Sequence, residues 1–284
     1  ARNPLEPTSF LAIKAANQLL QKKNIDPLTI DLVLIATVTP DMGVAATAAF
    51  VATQIGAYNA FGFDLQAACS GFLYGMSTAS MYIESGRYKK VLLIGADKMS
   101  SIVDYSDRTT CIIFGDGAGA ALFEPSENDF GFEDSYLRSD GTGRESLNIK
   151  AGGSLHPFDE NTFTDGSHNI IQDGQTVFKN AVKNMADASE KVMLQNKLSG
   201  DDIAFLLPHQ ANKRIIDATA RRMNLSEDRV LMNIEKFGNT TSATLPLLLS
   251  DYESKFSKGD KLIFAAFGGG FTWGAVYLTW NYNN

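Results

Sequence analysis

A chain of 284 residues, 44% hydrophobic and 20% charged, has the balance of a folded globular protein with room for one or two domains. No apolar run approaches the roughly 20 residues that span a bilayer, so a membrane is not an expected partner. With 25 basic against 32 acidic side chains the net charge is −7, which argues against nucleic acid as a general partner.

Ala1 to Thr8, polar and proline-bearing, does not read as a signal peptide. A helix is predicted over 9–22, a strand over 31–37, an Ala-rich helix over 43–56 and a short strand over 60–65. That strand runs into Cys69, after which 71–85 reads as helix and 91–96 as strand. A loop and strand follow over 109–114, and a further strand over 117–123. Residues 125–172, rich in Gly, Ser, Asp and Asn, read as an irregular excursion between two halves, 1–124 and 173–284. Helices are then predicted over 175–196, 211–223 and 241–256, with strands over 203–207, 230–234, 261–267 and 274–280. The strands are almost wholly apolar, the pattern of parallel sheet covered on both faces.

The two halves resemble each other. Strand 31–37 matches 203–208 with Ala36 against Pro208, strand 91–96 matches 262–267, and Cys69 falls opposite Asn239. Two copies of one α/β unit facing each other bring their strand ends into one cleft, where ligands of such sheets bind.

Two cysteines and three histidines are too few for a disulfide framework or a zinc cluster; a reducing interior, the cytoplasm, is expected. Cys69 sits at a strand-to-helix elbow among Ala67, Ala68, Ser70 and Gly71, where a helix N-terminus favours thiolate. The ordinary fate of a lone thiol is burial in a core, and Cys111, inside an apolar run, is assigned to it. His209 ends a strand, where imidazole can donate to an oxyanion; His156 and His168 read as structural. Asn239 could equally cap a helix. Gly268-Gly269-Gly270 permits close approach of a substrate or a tight hairpin. Gly115-Asp116-Gly117-Ala118-Gly119 precedes a strand rather than a helix, which disfavours a phosphate loop. On helix 211–223, Ile216, Ala220 and Met223 form an apolar stripe, opposite Arg214 and Arg221 with Lys213 and Arg222 beside them. A solvated basic face is the default reading, and an anionic partner the sharper one.

Asp64-Leu65-Gln66-Ala67-Ala68-Cys69-Ser70-Gly71-Phe72, Pro208-His209-Gln210-Ala211-Asn212, Phe237-Gly238-Asn239-Thr240-Thr241-Ser242-Ala243 and Phe267-Gly268-Gly269-Gly270-Phe271-Thr272-Trp273-Gly274 together resemble the beta-ketoacyl-acyl-carrier-protein synthase III family over essentially the whole chain. The resemblance implies a thiolase-like α/β fold, two pseudo-repeated halves in a five-layered αβαβα core, and a homodimer. It implies an acyltransferase that initiates type II fatty-acid synthesis. Acyl-CoA acylates Cys69, and decarboxylative condensation with malonyl-acyl carrier protein then gives 3-oxoacyl-acyl carrier protein. His209 and Asn239 would hold the enolate, the N–H groups of Cys69 and Gly269 the oxyanion, and Phe267 would support decarboxylation. Arg108, Gly174, Phe178, Ala211 and Asn212 fall where the family lines its CoA and pantetheine channel. Gln210, Ala211, Asn212, Lys213, Arg214, Arg221 and Arg222 resemble its carrier-protein surface. No metal or other cofactor is implied, the CoA thioester being a substrate. The family's opening strand, with its Trp- and Arg-bearing CoA grip, has no counterpart in the sequence. Val44 stands where many members carry a bulkier residue closing the partner's acyl tunnel, which predicts tolerance of longer or branched primers. Rival readings are a thiol acyltransferase or hydrolase of the same fold in specialised metabolism, and a non-catalytic binding member.

Overall fold

The computed structural model describes residues 5–128 and 130–282; of the polar opening segment, Ala1–Pro4 lie outside them. The first half runs α1 (Thr8–Lys23), β1 (Leu32–Ala36), α2 (Thr47–Gln54), β2 (Phe61–Leu65), α3 (Gly71–Glu84), β3 (Val91–Asp97) and β4 (Gly117–Phe123). Next come β5 (Gly131–Ser139), β6 (Leu147–Ile149), α4 (Glu160–Thr164) and β7 (Ile170–Gln172). The chain continues through α5 (Gly174–Gln195), β8 (Phe205–Pro208), α6 (Lys213–Arg222), α7 (Ile234–Phe237), α8 (Thr244–Tyr252), β9 (Lys261–Gly268) and β10 (Thr272–Thr279).

Alternation along the buried strands builds the layers. On β9, Leu262, Phe264 and Ala266 face one core, while Ile263, Ala265 and Phe267 face another. On β3, Leu93 points to the first of these, and Leu92, Ile94 and Ala96 to the opposite side. Because side chains alternate faces, a strand covered on both sides must be apolar at every position. The central core takes Phe72, Leu73 and Met76 of α3 and Leu245 and Leu248 of α8 between the two sheets. One outer core packs Ala12, Ala16, Val51 and Ala52 of α1 and α2 on the first sheet. The other packs Val177, Met185, Val192, Ile215 and Ala220 of α5 and α6 on the second. The result is an αβαβα stack.

The sheets are mixed rather than wholly parallel. Their orders are β2-β1-β3-β4 and β5-β10-β9-β8, with β4, β10 and β5 antiparallel to their neighbours. Gly269, Gly270 and Phe271 are too short a link for a crossover, which takes a dozen residues or more, so β10 must fold back on β9. The stretch 125–172 is not irregular throughout. Its first part, β5, zips along β10 from Thr272↔Ser139 to Thr279↔Gly131 and belongs to the second sheet. Glu133, Asp134, Ser135 and Arg138 give it the polar look of an edge strand.

Other boundaries moved for local reasons. Val44 takes φ 74, so α2 starts only after it. Asn212 accepts from the Arg214 N–H at 2.9 Å and so caps α6 where the sequence suggested its interior. The strands expected at 230–234 and 109–114 shrink to single bridges, Leu206↔Val230 and Phe114↔Asn239. Among the described residues no helix is long and apolar enough to cross a membrane. A groove of about 1090 Å³ follows the open edge of β4, and Cys69, His209 and Asn239 do not line it.

Candidate active site

The chain leaves β2 at Leu65 and turns at Ala68, whose φ is 48, into a single 3₁₀ turn that carries Cys69 to the head of α3. Thr272 clasps this elbow from both sides. Its hydroxyl donates to the Ala67 carbonyl at 2.7 Å, and its carbonyl accepts from the Ser70 hydroxyl at 3.0 Å. The end of β9 closes the remaining side, where a Cβ on Gly268 would lie 2.6 Å from the Cys69 nitrogen. Only glycine lets the two backbones come this close.

Asn239 reaches the same place from the second half. Its N–H donates to the Ile113 carbonyl and its carbonyl accepts from the Gly115 N–H, both at 2.9 Å. Its side-chain oxygen accepts from the Thr241 N–H at 2.9 Å, and its carboxamide lies near enough to the Cys69 thiol to ease ionisation. The glycines after Phe114 serve this contact, since a Cβ on Gly115 would lie 2.2 Å from the Phe237 carbonyl oxygen.

Burial pushes the Cys69 thiol up to about 12, any charge on the nearby Asp97 would add to the rise, and its own N–H and Asn239 oppose it. The thiolate expected from the helix N-terminus is therefore absent at rest: only 4% of the residue is exposed, and desolvation outweighs the dipole. His209 directly follows β8, its N–H donating to the Ala265 carbonyl at 2.7 Å. The ring is buried, neither nitrogen meets a hydrogen-bonding partner among the described residues, and burial alone lowers its pKa to about 3. Leaving a buried imidazole unpaired costs about 1–3 kcal/mol, a cost borne where a ligand supplies the partner. Unfolded histidine binds a proton near pH 6.5 and the folded ring only near 3. Stability is thus held above pH 6.5 and lost as pH falls towards 3, by up to about 1.4 kcal/mol per unit. Urea midpoints measured down this range will fall less steeply for His209→Gln than for the wild type.

Phe267 lies beside the elbow, its ring 4.9 Å from that of Phe271, and Gly269 is buried next to the Leu147 carbonyl. Gly174 opens α5 under the Asp173 cap, and one turn on Phe178 lies 4.7 Å beneath the Arg214 guanidinium. Ala211 and Asn212 are half-buried between His209 and α6, and Arg108 is exposed on the turns after β3.

Gln210 is corrected. It is fully buried, donating to the Pro208 carbonyl at 2.8 Å and accepting from the Asn233 N–H at 3.1 Å, so its side chain cannot meet a docking partner. The basic face is also less basic than its sequence, because Lys213 pairs with Asp217 and Arg222 with Asp187 and Glu190. Cys111 is half-buried in a turn beside an exposed Ile112 and packs against the edge of the small core of Met99, Val103 and Ile170.

The repeat holds with a shifted register. Ala68 and Thr241 share a positive φ, and each begins a three-residue 3₁₀ turn before a central helix, so Ser242 rather than Asn239 is the counterpart of Cys69. Leu32 pairs with Val91 as Phe205 pairs with Leu262, which sets Ala36, not Thr37, against His209 and Asp97 against Gly268. The sequence reading passed over Asp97, weighed Gly115 only as part of a phosphate loop and quoted Thr272 without giving it a role. An acid ending the otherwise apolar run Val91–Asp97 was the available signal for the first.

Comparison with known proteins agrees with this architecture. The family model for 3-oxoacyl-[acyl-carrier-protein] synthase III matches residues 63–141, and that for its C-terminal part matches 193–280. Beta-ketoacyl-[acyl-carrier-protein] synthase III 2 of Bacteroides thetaiotaomicron is 54% identical over 276 residues, covering 97% of this chain and 82% of the relative. The synthase III of Chlorobaculum tepidum is 51% identical over 283 residues, 98% and 86% of the two chains. Among solved structures, 3-oxoacyl-[acyl-carrier-protein] synthase III of Aquifex aeolicus superposes with TM-score 0.88 at 37% identity, covering 97% of this chain and 85% of that one. The priming beta-ketosynthase of the R1128 polyketide pathway superposes with TM-score 0.90 at 31% identity, covering 99% and 84%. The chain belongs to the beta-ketoacyl-[acyl-carrier-protein] synthase III family.

Proposed function

We propose that this protein is the initiating condensing enzyme of type II fatty-acid synthesis, with Cys69 as its acyl carrier. The observation that carries the residue assignment is the buried thiol beside the Asn239 carboxamide, at an elbow where Gly268 alone leaves room. Cys69 attacks the acyl-CoA carbonyl and gives up its proton, and the tetrahedral oxyanion is held by the Cys69 and Gly269 N–H groups. Collapse breaks the bond to CoA, whose thiolate takes up the proton that Cys69 lost. Malonyl-acyl carrier protein then binds, and its carboxylate leaves as carbon dioxide. The electron pair moves to an enolate whose oxygen is met by His209 and Asn239, both uncharged donors. The dry wall at Phe267 favours loss of the carboxylate. The enolate carbon attacks acyl-Cys69, and the Cys69 thiolate leaves and is reprotonated.

Arg108, Gly174, Phe178, Ala211 and Asn212 are assigned to the CoA and pantetheine arm. Arg214 and Arg221, with Lys213 and Arg222 in part offset by their acidic neighbours, are assigned to the anionic carrier protein. A homodimer in the cytoplasm completes the reading. Its interface would cover the open edge of β2 and the exposed Phe50, Phe61 and Val44. The R1128 relative gives a second reading, in which the same chemistry primes a specialised pathway.

Enzyme, acyl-CoA and malonyl-acyl carrier protein will together release carbon dioxide and give a product two carbons longer; release of free acid alone overturns the proposal. Val44, fully exposed, is assigned to the partner's acyl tunnel, and longer or branched primers are expected to turn over comparably with acetyl-CoA. An acetyl-CoA advantage of at least about tenfold over every other primer, some 1.4 kcal/mol, contradicts that assignment.

A further inference from the structure

The Asp97 carboxyl ends β3 with no exposure to solvent. One of its oxygens accepts from the Val38 N–H at 2.7 Å and from the Thr37 and Thr39 hydroxyls at 3.0 and 3.2 Å. The other lies 2.9 Å from the Ser242 nitrogen and 2.6 Å from the Ser242 hydroxyl oxygen. That hydroxyl is also 2.6 Å from the Ala36 carbonyl oxygen. Two oxygens this close are held by a proton between them. The Ser242 hydroxyl has two such contacts and one proton, and a carbonyl oxygen supplies none. The second proton must come from Asp97.

We propose that Asp97 is held as a neutral carboxylic acid that donates to Ser242, which donates to the Ala36 carbonyl, and that this relay is a clamp positioning the Asn239 loop against the Cys69 elbow. It rests on the proposed roles of Cys69 and Asn239. Ser242 is seated where a clamp would act. A Cβ on Gly95 would lie 2.3 Å from its carbonyl oxygen, and one on Gly71, two residues after Cys69, would lie 3.5 Å from its Cβ. The groups bonded to the carboxyl are hydroxyls and backbone amides. The neighbouring Lys98 ammonium donates to the Glu6 carbonyl at 2.7 Å, and the titratable Cys69 lies within electrostatic reach. Burial raises the Asp97 pKa, in keeping with a retained proton. The repeat supplies the contrast: where Asp97 faces Ser242 in one half, Gly268 faces Cys69 in the other. One elbow is plugged by a carboxyl, and its twin keeps its sulfur free for chemistry.

Infrared difference spectra of the wild type against Asp97→Asn, both carrying ¹³C-aspartate, test the proton directly. A protonated carboxyl band in the wild type at neutral pH is expected, and a carboxylate band overturns the proposal. If Asp97→Asn does not fold, Ser242→Ala serves, since the acid band must move to higher frequency when its acceptor is lost. In single turnovers, Ser242→Ala is expected to leave Cys69 acylation within about threefold and to slow condensation by about tenfold or more. Equal loss in both half-reactions, or loss in neither, refutes positioning. Absence of acylation in the wild type would sink the functional assignment instead, with the infrared result still standing on its own.

Discussion

Replacing Cys69 with Ala will abolish the covalent acyl adduct seen by intact mass spectrometry after mixing with acyl-CoA, and Cys111→Ala will leave it intact. The contrast is sharp because the two thiols differ in surroundings rather than exposure alone. Cys69 lies beside the Asn239 carboxamide at a backbone crossing with Gly268, whereas Cys111 sits in a turn. Without the sulfur, the reaction loses its covalent intermediate and condensation should fall on the order of 10⁴-fold or more. The small volume removed from a buried elbow leaves the fold standing, so a thermal midpoint close to that of the wild type will accompany the loss. An adduct that persists in Cys69→Ala and vanishes in Cys111→Ala would reverse the assignment.

His209→Ala and Asn239→Ala will each slow condensation by about 10²–10³-fold, the usual result of removing one donor to a developing oxyanion. Both side chains act on the enolate, so both variants will still acylate. Asn239 only modestly eases ionisation of the thiol, and an imidazole that binds a proton only near pH 3 is too weak a base to draw one from a thiol held up to about 12. Because the imidazole stays uncharged until about pH 3, the wild-type profile for condensation should show no ionisation near 6.5. A clear inflection there that disappears in His209→Gln would mean that the ring is charged and solvated during turnover.

Much of this molecule was legible in its residues because burial on two faces writes itself plainly. β1, β3 and β9 had to be central strands, since Leu32–Ala36, Val91–Asp97 and Lys261–Gly268 are too apolar for any exposed face. The elbow at Cys69 was equally visible in its run of small neighbours. What stayed hidden was set by tertiary contact. β5 exists because β10 offers it a partner, and nothing in Gly131–Ser139 marks it as a strand in isolation. The repeat register was misjudged because identity is low, and a shift of one residue turns a strand over; pairing alone fixed Ala36 against His209. The charge state of Cys69 was reversed because a helix N-terminus is a local feature and desolvation is not. Gln210 looked like a surface residue among basic neighbours until its three backbone partners were on view.

Everything in the chemistry depends on acyl-Cys69 being a true intermediate, on the path rather than beside it. A pulse–chase measurement decides this: the enzyme is loaded with radiolabelled acyl-CoA, then chased with malonyl-acyl carrier protein in excess unlabelled acyl-CoA. Label passing from the protein into the 3-oxoacyl product, at least as fast as steady-state turnover, is the predicted result. Label that drains to free acid or back to CoA, leaving an unlabelled condensation product, would contradict it.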